Sequence, residues 1–257
     1  MAITIGLILA IGETGHINST DMDNKTYSVC KFEKSKKIIV FFGSQHSKRE
    51  DQVTEIEKEI NQLNPEIILI EGHYDQATYK LREESLSKGG EMGFTSYLAK
   101  KNKIKLLSND PPDEDSILFI TKKYGKNICF LYFFIKNLDS YTRNKKEKLK
   151  EWSEYTISEF IKKSNWSNYD YSIKNLNKIF RSLTGKNLDI NQDFYKYLNP
   201  HLSISVFNEI SRDLSNFRDS FMMSLLKKVL IKYDKIFIIK GKSHLEKQRD
   251  DIYNLLK

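Results

Sequence analysis

Two Gly-x-x-His segments contain the residues of this chain that are best suited to catalytic chemistry. They are Gly43 to His46 and Gly241 to His244, and the carboxylate of Glu71 lies between them in the sequence. Two imidazoles and a carboxylate, with one coordination position left open, are the arrangement found in catalytic sites for first-row metals. A metal held in this way lowers the pKa of bound water toward 7 and so produces hydroxide at neutral pH. A second carboxylate would then act as general base and acid.

Each of these residues also has an ordinary structural interpretation. Glycine often ends a strand and histidine is tolerated in turns, so a single Gly-x-x-His segment is weak evidence for a site. Glu71 would equally suit the first turn of a helix, where the helix dipole stabilises a carboxylate. The placement of the two segments favours function, because both follow a short apolar run. A glycine at that point is expected to let the chain leave the strand with unusual dihedral angles.

Four short apolar runs predict neighbouring parallel strands, and each is followed directly by polar residues. The runs are KIIVFF (37–42), EIILI (66–70), IKLL (104–107) and KIFIIK (235–240). In an open parallel sheet, ligands bind beyond the carboxyl ends of the strands. The polar residues that follow these runs are therefore expected at one edge of one sheet: His46, Glu71, His73, Asp110 and His244. We take His73 and Asp110 as candidates for contacting a substrate.

The remaining sequence predicts an α/β fold. Amphipathic helical stretches alternate with the apolar runs in the first part of the chain, for instance over residues 50–63. Residues 4–11 and 27–32 predict two further strands, joined by a polar loop that contains His16. Residues 113 to about 200 show only helical periodicity. We predict a single α/β domain over residues 1–257, with a mostly parallel sheet, flanking helices, an N-terminal hairpin and a helical insertion or cap at about 113–200 in its second half.

The positive net charge is only weak evidence for a nucleic-acid partner. The chain has 42 Lys and Arg against 34 Asp and Glu, a net charge of +8, and such a balance favours binding to phosphates through counterion release. Only seven of the basic residues are Arg, and no RNP, zinc-finger or basic-leucine pattern occurs. Two cysteines exclude a disulfide framework and a Cys-based zinc cluster. We expect no specific nucleic-acid partner; a nucleic-acid-associated protein is a hypothesis that charge alone motivates.

The sequence contains no apolar run of the roughly 20 residues needed to span a bilayer. The apolar run at the N-terminus is about ten residues long, and the run ICFLYFFI covers only residues 128–135. The N-terminal run also lacks a basic region before it, which favours a first strand over a signal peptide. We expect a cytoplasmic protein without membrane association, and a secreted protein is the less favoured alternative.

Five motifs occur in an order that resembles the TraB/PrgY–Tiki family, relatives of erythromycin esterase and ChaN-type proteins. They are GSQH (43–46) followed by Ser47, NPEIILIEG (64–72), GGEM (89–92), RDSFM (218–222) and GKSH (241–244). Each motif alone is unspecific, whereas the ordered set covers most of the chain outside the N-terminal hairpin and the middle helices. The chain departs from the family after the third strand, where the family usually has Asp-Arg and this chain has Asn109-Asp110-Pro111.

The resemblance implies a metal-dependent hydrolase. Tiki proteins are peptidases, and TraB/PrgY relatives are linked to the control of peptide pheromones. The implied substrate is a peptide or another small molecule with an amide or ester bond. The implied cofactor is a divalent Mn, Co, Fe or Zn ion held by His46, Glu71 and His244. The alternative hypothesis is a non-catalytic protein that uses the same crevice to sequester a peptide, haem or another small ligand.

Three further residues receive roles from the resemblance. It implies that Glu91, within GGEM, is the general base or a further metal ligand. It also implies that Arg218 holds a substrate carboxylate or stabilises an oxyanion, and that Asp219 orients Arg218. The ordinary alternatives are a first-turn helix carboxylate for Glu91 and a helix-surface ion pair for Arg218 and Asp219. The oligomeric state is not indicated by the sequence.

Overall fold

The computed structural model describes residues 16–20, 27–47, 49–74, 79–144, 148–189 and 194–257. The chain divides into two compact units, one formed by Met1–Asp110 with Phe221–Lys257 and the other by Pro111–Ser220. Residues 113–200, expected to form a helical insertion, fall within the second unit. The strand predicted over residues 4–11 lies outside the described residues.

The described strands of the first unit form one six-stranded sheet in the order β1-β2-β3-β6-β4-β5. Their bounds are His16–Thr20 (β1), Ser28–Lys34 (β2), Lys37–Ser44 (β3), Ile67–Ile70 (β4), Lys105–Ser108 (β5) and Lys235–Gly241 (β6). The first three strands pair antiparallel, whereas β3, β6, β4 and β5 pair parallel. This arrangement confirms the predicted α/β fold with its N-terminal hairpin. The loop position predicted for His16 is wrong, because His16 begins β1.

The helices lie in both units. Their bounds are Glu50–Leu63 (α1), Arg82–Lys101 (α2), Asp113–Asn144 (α3), Leu149–Ser164 (α4), Ile173–Thr184 (α5), Tyr195–Leu198 (α6), Val206–Leu230 (α7) and Lys242–Leu256 (α8). In the second unit, the described residues outside the helices form turns and irregular segments. No helix of the described ranges is long and apolar enough to cross a membrane.

The apolar runs become strands because a parallel sheet with helices on both faces is buried on both sides. All four residues of β4 are buried, as are the last six residues of β3 and of β6. One face of the sheet packs against α1 and α2, with Ile56 and Phe94 in the shared core. The other face packs against α8 and the C-terminal part of α7, with Leu226 and Leu245 in its core. The sheet is therefore held rigidly on both faces, and its carboxyl edge is available for a site.

Candidate functional site

The carboxyl ends of the parallel strands bring the two Gly-x-x-His segments together. Ser44 pairs with Gly241 where β3 and β6 end, and β4 ends beside β6. His46 follows β3 by two residues, Glu71 directly follows β4, and His244 lies in the first turn of α8. The strand order therefore places these three residues at one edge of the sheet, although they are far apart in the sequence.

The imidazole of His46 lies between two carboxylates. Its Nδ1 is 3.1 Å from Oε1 of Glu91, and its Nε2 is 3.5 Å from Oε2 of Glu71. The side chain is 56% exposed, so a molecule in solution can reach it. The backbone of His46 has φ 51°, a left-handed conformation that is uncommon outside glycine and is found preferentially at functional sites. The loop after β3 is thus shaped to turn this imidazole toward both glutamates.

Glu91 is the more buried of the two carboxylates. The residue is 3% exposed, and the hydroxyl of Ser44, at the end of β3, donates a hydrogen bond of 3.1 Å to its Oε1. The same Oε1 faces Nδ1 of His46. A buried carboxylate needs partners of this kind, because an ionised group without them is costly to remove from water. Glu91 therefore lies behind His46, away from the solvent side of the imidazole.

The glycines of GGEM explain how Glu91 reaches this place. Gly90 interrupts α2 with φ 60° and ψ −149°, a combination that is essentially restricted to glycine. Glu91 consequently begins a second helical segment rather than continuing the first. On either side, a Cβ on Gly89 would lie 2.6 Å from the Tyr79 hydroxyl oxygen, and a Cβ on Gly93 would lie 3.2 Å from the Tyr79 ring. The two glycines allow the buried Tyr79 to pack against this helix.

Glu71 is held by backbone groups of the neighbouring strand. Its Oε2 accepts a hydrogen bond of 2.7 Å from the N–H of Gly241, and its own N–H donates to the carbonyl of Ile239 over 3.0 Å. The side chain is only 12% exposed. Since the carboxylate has a fixed partner in β6, its orientation toward His46 does not depend on a flexible surface side chain.

Gly241 is the point on which three candidate residues converge. A Cβ at this position would lie 3.1 Å from Nε2 of His46, 3.6 Å from Cδ2 of His244 and 3.7 Å from Oε2 of Glu71. The first of these distances is tighter than an ordinary contact, so a side chain at this position would press against the imidazole of His46. His244 is 8% exposed, and it enters this space from the first turn of α8.

Part of this geometry fits a metal ion. Two ligands of a tetrahedral zinc ion at 2.0–2.1 Å lie about 3.4 Å apart, and Nε2 of His46 and Oε2 of Glu71 are 3.5 Å apart. In the part of the chain that the structure describes, no group of three or more His, Cys, Asp or Glu side chains is arranged to hold a metal ion. The pair His46 and Glu71 therefore fits two ligand positions, and His244 as the third ligand stays a prediction.

Asp110 and His73 occupy different surroundings near the same edge. Asp110 is 8% exposed, its Oδ1 lies 3.1 Å from Nζ of the fully buried Lys240, and its Oδ2 accepts a hydrogen bond of 2.9 Å from the N–H of Gly72. His73 is exposed in the loop after Glu71. The contact with substrate expected of both residues stays a prediction, and it is easier to reconcile with the exposed His73.

Tyr74 is a further residue near the site, and none of the sequence motifs includes it. Its ring lies 3.1 Å from the position that a Cβ on Gly72 would take and 3.4 Å from the corresponding position on Gly89, so it lies between the loop after β4 and α2. Burial raises the pKa of the Tyr74 phenol, and the nearby Tyr79, Glu91 and Glu71 raise it further. The hydroxyl therefore keeps its proton at neutral pH. In the sequence, the signal that points to Tyr74 is an aromatic residue shortly after the candidate glutamate Glu71.

Arg218 and Asp219 lie on α7, at the end of the second unit. Burial raises the pKa of Tyr132, and the nearby hydroxyl of Ser211 and the positive charge of Arg218 oppose that rise. These contacts are within the second unit, and the catalytic roles of Arg218 and Asp219 stay predictions.

Comparison with known protein families, curated proteins and solved structures finds no match for this chain. The resemblance to the TraB/PrgY–Tiki family therefore continues to depend on the five motifs.

Proposed function

We propose that the carboxyl edge of the sheet is the active site of a metal-dependent hydrolase that cleaves an amide or ester bond, most simply in a peptide. The observation that carries the proposal is the position of His46, with Nε2 3.5 Å from Glu71 Oε2 and Nδ1 3.1 Å from Glu91 Oε1. A histidine that binds a metal through one ring nitrogen usually has its other nitrogen hydrogen-bonded to a carboxylate, a backbone carbonyl or water.

In this proposal His46 and Glu71 hold a divalent Mn, Co, Fe or Zn ion, and His244 is the third ligand. A bound ion of this class supplies Lewis acidity, which polarises a carbonyl oxygen and makes water a stronger nucleophile. The hydrogen bond from the N–H of Gly241 to Glu71 keeps that carboxylate in place. A fixed ligand loses less conformational freedom when the ion binds, so the backbone of β6 contributes to affinity.

We assign Glu91 to orienting His46. Its carboxylate faces Nδ1 and is almost fully buried, whereas a general base must come within hydrogen-bond reach of the proton it removes. The hydroxyl of Ser44 fixes the same oxygen of Glu91. This role differs from the general base or further ligand that the family resemblance implies, and the two assignments make different predictions for Glu91→Gln.

The solvent side of His46 is where a substrate would approach. More than half of the imidazole surface is exposed, which suits a bond within a peptide better than a small molecule enclosed in a cavity. In this proposal Tyr74, whose phenol pKa is raised by burial, donates a hydrogen bond to a substrate carbonyl oxygen. Donors aimed at an oxygen that gains negative charge stabilise the transition state of acyl transfer.

Metal content tests the proposal directly. Wild type, His46→Ala, His244→Ala and His201→Ala are purified and incubated with each of the four metals, and the bound metal is measured by elemental analysis. His201, exposed in a turn of the second unit, provides the matched control. We expect stoichiometric metal in wild type and His201→Ala and its loss in both other variants, followed by activity in an unbiased peptide-cleavage screen.

A wild-type protein that takes up none of these metals would refute the hydrolase. If such a protein still binds a peptide, haem or another small ligand at this edge, the sequestering alternative is favoured. Loss of ligand binding in His46→Ala would then identify the same crevice as the binding site.

A further inference from the structure

A buried ion pair joins β6 to the segment that follows β5. Nζ of Lys240 lies 3.1 Å from Oδ1 of Asp110, and Lys240 has no exposed surface. The second carboxylate oxygen, Oδ2, accepts a hydrogen bond of 2.9 Å from the N–H of Gly72. Asp110 thus connects Lys240, which precedes Gly241, with Gly72, which follows Glu71.

We infer that Lys240 and Asp110 are positioning residues that hold the Glu71 carboxylate in its place at the sheet edge, an inference that rests on the function proposed above. Hydrogen bonds to β6 and to the segment after β5 hold the chain at Glu71 and at Gly72. Its carboxylate accepts from Gly241, the neighbour of Lys240, and the N–H of Gly72 donates to Asp110. Asp110 and Lys240 close this set of contacts, so the turn after β4 cannot move without breaking one of them.

The free-energy cost of burying the ion pair of Lys240 and Asp110 supports a positioning role. Two charges removed from water lose their hydration, and replacing a buried ion pair by apolar residues of similar size is often neutral or stabilising. The other five buried residues of β6 are a glycine and four apolar residues. An apolar residue in place of Lys240 would therefore be sufficient for stability. The lysine does provide a link to Asp110 with defined direction and length, which an apolar side chain cannot provide.

The test compares Lys240→Met, Asp110→Asn and the double variant with wild type. Lys240→Met alone leaves a buried carboxylate without its charge partner and should lower the thermal midpoint, whereas the double variant removes both charges and should recover it. A positioning role predicts that the folded double variant binds the metal about 10–100-fold more weakly than wild type. A purely structural role predicts that affinity recovers together with stability.

A second measurement does not depend on metal or activity. Hydrogen exchange of the Gly241 amide, followed by NMR in the metal-free protein, reports how often its bond to Glu71 opens. In the double variant this amide should exchange at least about tenfold faster than in wild type, with the amide of Ile238 in the same strand unchanged. Equal exchange of Gly241 in both proteins, with equal metal affinity, would overturn the inference.

The two proposals can fail separately. A wild-type chain that binds no metal refutes the hydrolase, and the exchange of Gly241 then decides alone whether the ion pair positions Glu71. If the double variant does not fold, Asp110→Glu replaces it, because it keeps both charges but lengthens one side chain by a methylene. Faster exchange of Gly241 in that variant supports the inference, and unchanged exchange contradicts it.

Discussion

Replacing Glu91 by Gln distinguishes an orienting carboxylate from a general base. The substitution keeps the size of the side chain and an oxygen that can accept from Ser44 and from His46, the two partners of Glu91 Oε1. It removes the negative charge, and hydrogen bonds to a charged acceptor are roughly twice as strong as neutral ones. Because Glu91 is buried, removing its charge also removes a desolvation cost. We therefore expect the thermal midpoint to be unchanged or raised.

The expected effect is on metal affinity. Mutation of a group that orients a metal-binding histidine typically weakens metal binding by about 10–100-fold, which corresponds to about 1.4–2.7 kcal/mol. The distance of 3.1 Å between Nδ1 and Oε1 is that of a direct hydrogen bond, so an effect within this range is expected. Isothermal titration of the metal-free protein with Zn²⁺ measures it. Turnover at saturating metal should persist.

Glu84→Gln is the matched control, because Glu84 lies on the same helix but pairs at the surface with Lys88 at 2.9 Å. Its substitution should leave metal affinity unchanged. Two outcomes would refute the reasoning for Glu91→Gln. Wild-type affinity with complete loss of turnover would identify Glu91 as the general base, and wild-type affinity with wild-type turnover would deny it any role at the site.

Four further predictions concern packing, the buried thiols and a buried amide. Gly43→Ala should destabilise the protein by about 1–3 kcal/mol in urea unfolding, because its Cβ would lie 3.1 Å from Cα of Lys242. Neither Cys30 nor Cys129 should react with a thiol reagent before the protein unfolds, since both are buried. Burial raises the pKa of Cys129 to about 12. The contribution of its neutral thiol to stability is therefore complete below about pH 8.5 and should be lost progressively as the pH rises toward 12. Comparing the free energy of unfolding at pH 7 and at pH 10 measures this loss. Asn208→Ala should cost about 1–3 kcal/mol, because this buried amide bonds four backbone groups of residues 196–205, and thermal unfolding measures the loss.

Much of the fold is visible in the sequence because burial leaves a strong signal. Parallel strands covered on both faces read as continuous apolar runs, and the predicted runs match β3, β4, β5 and β6 to within two residues. The helix predicted over residues 50–63 has the observed bounds of α1, and it ends at Asn64 in the left-handed conformation before Pro65. Once the strands are placed, the positions of His46, Glu71 and His244 at one edge follow from the topology.

The contacts around Glu91 and Lys240 could not be predicted in the same way. The first half of α2, which begins at Arg82, is not visible in the sequence, since its glycine-rich stretch gives no helical apolar pattern. The direction of Glu91 depends on the dihedral angles of Gly90, which no pattern of residue types reveals. Lys240 is the last residue of the run KIFIIK (235–240), and nothing in the run indicates that its side chain is buried. A buried lysine requires a partner, and the partner Asp110 is 130 residues away.

The two glycines of the Gly-x-x-His segments serve a different physical purpose from the one that the sequence predicts. The prediction of unusual dihedral angles is wrong for both: Gly241 has φ −53° and ψ 142°, which any residue can adopt, and Gly43 does not have a positive φ either. A side chain would be crowded at both positions, because a Cβ on Gly43 would lie 3.1 Å from Cα of Lys242 at the start of α8, and one on Gly241 would lie 3.1 Å from Nε2 of His46. The left-handed conformation occurs instead at His46 itself. Glycine is favoured where two segments approach closely as well as where the backbone turns. The motif alone does not distinguish these two causes, so it locates the site, whereas the three-dimensional contacts explain why each glycine is there.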